Sequence, residues 1–273
     1  MSTPCSSPSD FEACKLALTV AVPGKSVRRL AAALCWALVS AAAPAGAATT
    51  VSPVIVEANA DGRAVVNVTN HRDRAVLYQL TALSWQVLDG RDLYEPTQDY
   101  IASPPLFTLD AGETQAIRIG FRNPVRDPVE RAYRLAIAEV PRVDVVSEGS
   151  GTVDFAIQYL LPVYVAAADR EAKPELAWSM RAVDGFILLR AENTGHKHVA
   201  LAAVGLSSGN PDAGRPEFLV KALSTILANS WREWRFAVPR EAVPPAWHIL
   251  VQYQGSALLV AVPDADIIVR GPR

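Results

Sequence analysis

His196 and His198 stand one residue apart, so on an extended strand both imidazoles could project to one side and offer two nitrogen ligands to a metal ion. They stand just after the turn Thr194-Gly195 with no cysteine and no evident carboxylate partner, which favours a solvated edge. Gly24-Lys25-Ser26 has the ending of a phosphate-binding loop, but Thr19 fills the place of the first glycine. No G-x-S-x-G elbow and no Ser/His/Asp set in a supporting context occurs, and His71, in NHRD, falls at a predicted turn. The chain therefore reads as a non-enzyme, with no cofactor, no metal and no nucleotide called for. Asn67-Val68-Thr69 is a glycosylation sequon inside a predicted strand. Trp85 and Trp178 read as core or rim aromatics, and one of Trp231 and Trp234 is expected to face solvent.

The chemistry that remains is strand pairing. In GTVDFAIQYLLPVYVAAAD, Val153, Phe155, Ile157, Tyr159 and Leu161 alternate with Asp154, Ala156, Gln158 and Leu160, so one face of an extended segment carries an unbroken row of large apolar side chains. Main-chain hydrogen bonds from a sheet edge are indifferent to side-chain identity, while residues at period two can all enter one groove. Such a row serves equally well to fill the chain's own core, and periodicity alone does not separate the two uses.

The elements that position this row belong to the exported part of the chain. Lys25, Arg28 and Arg29 precede LAAALCWALVSAAA, which is too short and Ala-rich for stable membrane insertion, and Ala45-Gly46-Ala47 has the form of a cleavage site. Residues 1–47 thus read as an upstream extension plus a secretory signal peptide cleaved near Ala47, with the true start downstream of Met1. All three cysteines (Cys5, Cys14, Cys35) lie in this piece, so the mature chain folds without disulfides. It keeps 22 basic and 26 acidic residues, a net charge near −4, and offers no basic field to nucleic acid.

From Ala48 onward the pattern is short alternating segments separated by turn residues, with no sustained helical period. AVVNVTN, AVLYQLTALSWQV, QAIRIGF and YRLAIAEV are strand-like; Asp89-Gly90 is a hairpin signal, Asp110-Ala111-Gly112 a second turn, and Pro104-Pro105 an extended crossing or bulge. The polar, Pro-ended stretch after Val165 reads as a linker at 168–174. Strands resume in FILLRAEN, HVALAAVGL, WREWRFAV, HILVQYQ, LLVAV and DIIV, with a long loop GNPDAGRPE. The fold class is all-β: two immunoglobulin-like sandwiches, 48–167 and 175–273, joined by the short linker with a cleft between them.

SWQVLDG, SPP followed by LDAGETQAIRI, ERAYRLAIAEVP and the alternating strand ending in LPVYV occur in an order and spacing that resembles the periplasmic chaperones of bacterial chaperone–usher pilus assembly, over essentially the whole mature length. ERAYRLAIAEVP is the most specific piece, with Glu130 and Glu139 nine apart and Pro141 closing it. The resemblance implies an energy-independent chaperone that lends the last strand of its first domain to a pilin subunit lacking a strand, then delivers the subunit to an outer-membrane usher. Val153, Phe155 and Ile157 match the donor positions, with Tyr159 and Leu161 extending the row, and Glu139 and Pro141 take a structural role. It also implies periplasmic residence and allows a self-capping dimer to protect the donor edge.

The sequence departs from that pattern at the basic residues that grip the pilin's C-terminal carboxylate. The first strand region reads SPVIVEA, without a basic residue, and Pro162 takes the place of the donor-strand lysine. Arg118 and Arg134 are the substitutes considered, since guanidinium binds carboxylate through two parallel bonds; the competing expectation is an exposed arginine or one paired with Glu139. The departure points to the divergent, archaic or alternative branch. The reading of another class is a secreted structural or adhesive surface protein built on the same two sandwiches.

Overall fold

A computed structural model describes residues 48–123, 127–141, 155–183, 185–207, 216–221, 223–237, 247–256 and 260–261. Every regular element among them is a strand. The first ten are β1 (Thr49–Ser52), β2 (Val56–Ala58), β3 (Arg63–Asn70), β4 (Val76–Leu88), β5 (Arg91–Pro96), β6 (Tyr100–Ser103), β7 (Leu106–Leu109), β8 (Thr114–Phe121), β9 (Arg131–Val140) and β10 (Gln158–Val165). The rest are β11 (Leu176–Val183), β12 (Phe186–Asn193), β13 (Val199–Ser207), β14 (Phe218–Val220), β15 (Ser224–Ile226), β16 (Ser230–Ala237), β17 (His248–Tyr253) and β18 (Val260–Ala261). DIIV and most of GNPDAGRPE lie outside the described residues.

The first sandwich pairs a sheet of order β1-β3-β8-β6 with one of order β2-β10-β9-β4-β5, to which β7 adds along β4. Alternation in sequence becomes alternation in burial: Val66, Val68, Ile117 and Ile119 turn inward while Val65, Asn67 and Arg118 stay outside. Tyr78, Leu135, Ile137 and Val163 close the core from the facing sheet, and Tyr100 joins them from β6.

Prolines mark two of the places where the chain changes sheets. β1 runs antiparallel to β3 up to Ser52; Pro53, which has no N–H to continue that ladder, follows, and β2 then pairs parallel to β10. Pro104 and Pro105 make the corresponding step from β6 to β7, as an extended crossing segment. Asp89 (φ 50°) and Gly90 (φ 72°) form the β4–β5 turn with both residues left-handed, the conformation a two-residue hairpin demands.

The second sandwich sets β11-β12-β16 against β14-β13-β17-β18, with β15 also on β13. Its core contains Trp178, Leu189, Leu201, Ile226, Trp234 and Ile249. The two halves share no sequence repeat, yet each pins one corner with a fully buried asparagine. Asn70 Nδ2 donates to Arg74 O at 2.8 Å and its Oδ1 accepts Arg72 N–H; Asn193 Nδ2 donates to Lys197 O at 2.7 Å and its Oδ1 accepts Gly195 N–H. Each side chain replaces the main-chain partners that the turn cannot provide.

Candidate functional site: the open edge of β10

β10 pairs with β9 along its whole length, from Gln158 opposite Ala138 to Val165 opposite Arg131. On its other side it meets β2 only at Val163–Val165. Among the described residues no strand pairs with the edge before Pro162, which is open there. Glu139 N–H donates to Ile157 O at 3.0 Å, which fixes the parity of the antiparallel ladder: odd residues of β10 bond to β9, and even residues turn their main-chain groups away from it. Gln158 and Leu160 thus present both N–H and C=O to the open side, while Pro162, which has no N–H, turns its carbonyl toward the start of β2. A proline is tolerated here because its missing N–H would have faced away from the sheet.

The odd side chains form one row that leaves the protein's own core part-way. Val165, Val163 and Leu161 are buried in the first core, and Tyr159 is half-buried against it, donating its hydroxyl to Thr49 O at 3.3 Å. Ile157 is 36% exposed and Phe155 74% exposed. Leu161 is thus a core residue of this domain, whereas the Ile157 and Phe155 side chains are exposed. Val153 lies outside the described residues. Phe155 overhangs a pocket of about 110 Å³ lined by Arg72, Val76, Leu77, Val140 and Pro141.

Glu139 organises the root of this exposed segment. Its buried carboxylate accepts Arg72 Nη2 at 2.9 and 2.7 Å, the Thr49 hydroxyl at 3.3 Å and the Ile157 N–H at 3.4 Å. Thr49 in turn shares a 2.9 Å hydrogen bond with the Tyr78 hydroxyl. The arginine that pairs with Glu139 is Arg72, not Arg118 or Arg134. Arg72 sits in NHRD, where the sequence shows only a turn; its partner is 67 positions away, so no local signal reveals it. Pro141 follows β9 directly and is exposed.

The two candidate anchors part company. Arg118 lies on the outer face of the other sheet between Val65 and Ser103, exposed and without a polar partner among the described residues. Arg134 stands opposite Pro162, its guanidinium 3.7 Å from the centre of the Trp85 ring and 5.6 Å from that of Tyr94, with Nη1 donating to Leu160 O at 3.3 Å. Its Nε is buried without a partner. Burial raises the Tyr94 and Tyr164 phenols above their ordinary pKa, so the cation faces neutral hydroxyls.

The cleft between the sandwiches lies behind Arg134. Trp85 and Tyr164 pack on Leu227 of the second domain. His198 stacks on Tyr164 at 3.8 Å and bonds through Nδ1 to Glu130 at 2.5 Å, while Glu130 N–H donates to His196 O at 3.0 Å. The carboxylate partner that sequence reading did not find for this histidine pair comes from the other domain. Among the described residues no group of three metal-binding side chains forms. Arg232 donates to Gly90 O at 2.6 Å and to Asp92, which also accepts the Trp85 indole N–H at 2.6 Å. Gly90 lies so close to Trp231 that a Cβ there would meet the ring at 2.5 Å.

Residues 48–166 match the family described as pili and flagellar-assembly chaperone, PapD N-terminal domain. The first sandwich is a domain of this family. No curated protein matches it. Among solved structures, it resembles the CsuC–CsuE chaperone–tip adhesion subunit pre-assembly complex from archaic chaperone-usher Csu pili of Acinetobacter baumannii, at 22% identity and TM-score 0.59, over 79% of this chain and 97% of that one. The E. coli chaperone DraB aligns at 18% identity and TM-score 0.52 over 78% and 96%. The Salmonella enterica SafA pilin–SafB chaperone complex aligns at 16% and 0.52 over 81% and 95%. The alignments extend past the N-terminal family domain, and the two-sandwich architecture is the one these chaperone folds share.

Proposed function

We propose that this chain is a periplasmic chaperone that captures pilin subunits by adding β10 and the residues before it to the subunit's incomplete sandwich, and hands them to an outer-membrane usher. The observation that carries the reading is the coincidence, in one segment, of an open main-chain edge at Gln158–Leu160 and an apolar row that emerges from the core at Ile157 and Phe155. An edge of this kind would aggregate unless covered, and strand addition covers it. Each of the two exposed side chains offers about 1.5–3 kcal/mol of gross burial energy to a partner, reduced by ordering costs. Val153 extends the row in the same register by sequence. A second copy covering the same edge is the resting form we propose for the free protein.

Arg134 is the anchor for the subunit's terminal carboxylate in this reading: it lies against the open edge and keeps an unpartnered Nε, while Arg118 faces away. A chain end held there requires the added strand to run parallel to β10. The lack of a basic residue in β1 and β2 and the fold shared with an archaic-type chaperone support placing the chain in the archaic or alternative branch. Export by the signal segment, with cleavage near Ala47, and a domain division near 168–174 complete the proposal.

The test is copurification. Mature chain coexpressed with the pilin-type subunit encoded beside it is expected to retain that subunit, and the Ile157→Asp variant to lose it while staying folded. A well-folded wild type that retains no subunit and is found outside the cell on fibres would instead assign a surface structural role.

A further inference from the structure

Arg232 reaches out of the second sandwich and is fixed from both sides. Its Nε donates to Thr225 O of its own domain at 3.0 Å, while Nη1 donates to Gly90 O at 2.6 Å and Nη2 pairs with the Asp92 carboxylate, both on the β4–β5 hairpin of the first sandwich. The hairpin tip is seated there: a Cβ on Gly90 would meet the Trp231 ring at 2.5 Å, so only glycine lets the tip come this close. Asp92 passes the restraint on. The same Oδ1 accepts the Trp85 indole N–H at 2.6 Å, and the Trp85 ring carries the Arg134 guanidinium at 3.7 Å.

Asp92 also shares a neighbourhood with Arg134 itself. Asp92 and Tyr94 are two apart on one face of β5, Tyr94 stands opposite Trp85, and the Arg134 guanidinium lies 5.6 Å from the Tyr94 ring. Burial raises the Tyr94 phenol above its ordinary pKa, and the charges of Arg134, Asp92 and Arg232 all act on it as well. Of the two cations, Arg232 holds the carboxylate; Arg134 has no carboxylate partner among the described residues, and its Nε is buried unpaired. Released by Arg232, Asp92 would have the Arg134 guanidinium as its remaining cation. A carboxylate tethered in the same chain competes at high effective concentration with one brought by a ligand.

Resting on the capture reading above, we infer that Arg232 is a positioning residue for the subunit site: by holding Asp92 it keeps the Trp85 ring in place and reserves Arg134 for a carboxylate of the ligand. The strength of a site built on the first sandwich thereby depends on the contact of its hairpin with the second. Parting of the two sandwiches at this hairpin hands Asp92 to Arg134 and turns the site off.

Arginine side-chain magnetic resonance on the free mature chain reads this without a ligand. The Arg134 signal, identified by its loss in Arg134→Lys, is expected to shift in Arg232→Gln and to return when Asp92→Asn is added, since asparagine keeps an oxygen for the Trp85 indole and loses the charge. Calorimetry with the subunit's C-terminal strand as free acid is expected to follow the same pattern, with binding about tenfold weaker in Arg232→Gln and most of the loss recovered in the double variant. An Arg134 signal that ignores Arg232→Gln, or a loss of affinity that Asp92→Asn does not recover, overturns the inference and leaves capture standing. Should Arg232→Gln fail to fold, Gly90→Ala, whose Cβ pushes the hairpin off Trp231, is expected to move the Arg134 signal, and an unmoved signal there overturns the inference equally. Free-acid binding as tight in Arg134→Ala as in the unsubstituted chain would remove Arg134 from the site and this inference with it.

Discussion

Ile157 is held to Glu139 twice: its carbonyl accepts the Glu139 main-chain N–H at 3.0 Å, and its own N–H donates to the Glu139 carboxylate at 3.4 Å. The side-chain bond replaces the second main-chain bond of the ladder, so the carboxylate marks the point where β10 leaves its sheet.

Removing that carboxylate leaves the Arg72 guanidinium, itself largely buried, without its counter-charge. Glu139→Ala is expected to destabilise the first domain by about 3–5 kcal/mol, as breaking one side of a buried pair does, read as a lower urea midpoint at constant slope. Amide exchange at Ile157 and Gln158 should accelerate more than the loss of global stability accounts for.

Position along the apolar row decides what a charge does. Phe155→Asp and Ile157→Asp are expected to keep the thermal midpoint of the free protein and abolish subunit capture. Leu161→Asp, on the same face but 6% exposed, is expected to prevent folding, and Leu161→Ala to cost about 2–5 kcal/mol. Unfolding caused by Ile157→Asp would show that the row ends in this protein's own core later than the burial gradient indicates.

Arg134 and Arg118 separate by the same logic. Arg134→Ala is expected to weaken subunit binding by about 1.5–3 kcal/mol, the range for a hydrogen bond to a charged group, and Arg134→Lys to recover little of it because the planar stack on Trp85 is lost. Arg118→Ala should leave affinity unchanged. Titration calorimetry with the subunit's C-terminal strand as free acid and as amide checks both, since the amide should bind the unsubstituted chain and the Arg134→Ala variant alike.

Glu130 joins the two sandwiches through the His198 ring and the His198 N–H, and its side chain is buried. Glu130→Ala is expected to cost about 1–3 kcal/mol and to leave the halves free to reorient. Small-angle scattering would show the broader distribution of shapes; an unchanged profile at reduced stability would confine Glu130 to a local role.

Burial pushes the Tyr133 phenol up to about 12 and raises those of Tyr78, Tyr94, Tyr100 and Tyr164 as well. In the unfolded chain these groups ionise near pH 10. The unfolded state therefore releases its protons first, so the stabilisation is whole below pH 10 and is lost as pH rises from about 10 toward 12. Phenolate absorbance should appear in step with loss of the near-ultraviolet dichroism in that window, and Tyr133→Phe should reduce the steepness of the loss.

The sequence by itself determined that this is an all-β chain, where most strands and hairpins fall, which side of each strand is apolar, and that the segment ending in LPVYV has the alternation of a donor strand. These follow from local rules: period-two patterning, turn residues with left-handed backbone, prolines that cannot extend a ladder. Where the row from Val153 to Val165 stops serving its own core was decided only by the tertiary structure, because the alternation is uniform and what changes near Tyr159 is the reach of the opposing sheet, marked by Thr49. The open edge has the same origin: β2 covers β10 only from Val163, a fact of parallel pairing between segments more than a hundred residues apart. Pro162 and the two arginines are visible in the sequence, but whether the missing N–H faces a neighbour or solvent, and which guanidinium lies beside it, depends on the register of β10 against β9. That register is fixed by packing of side chains distant in sequence, which no local pattern encodes.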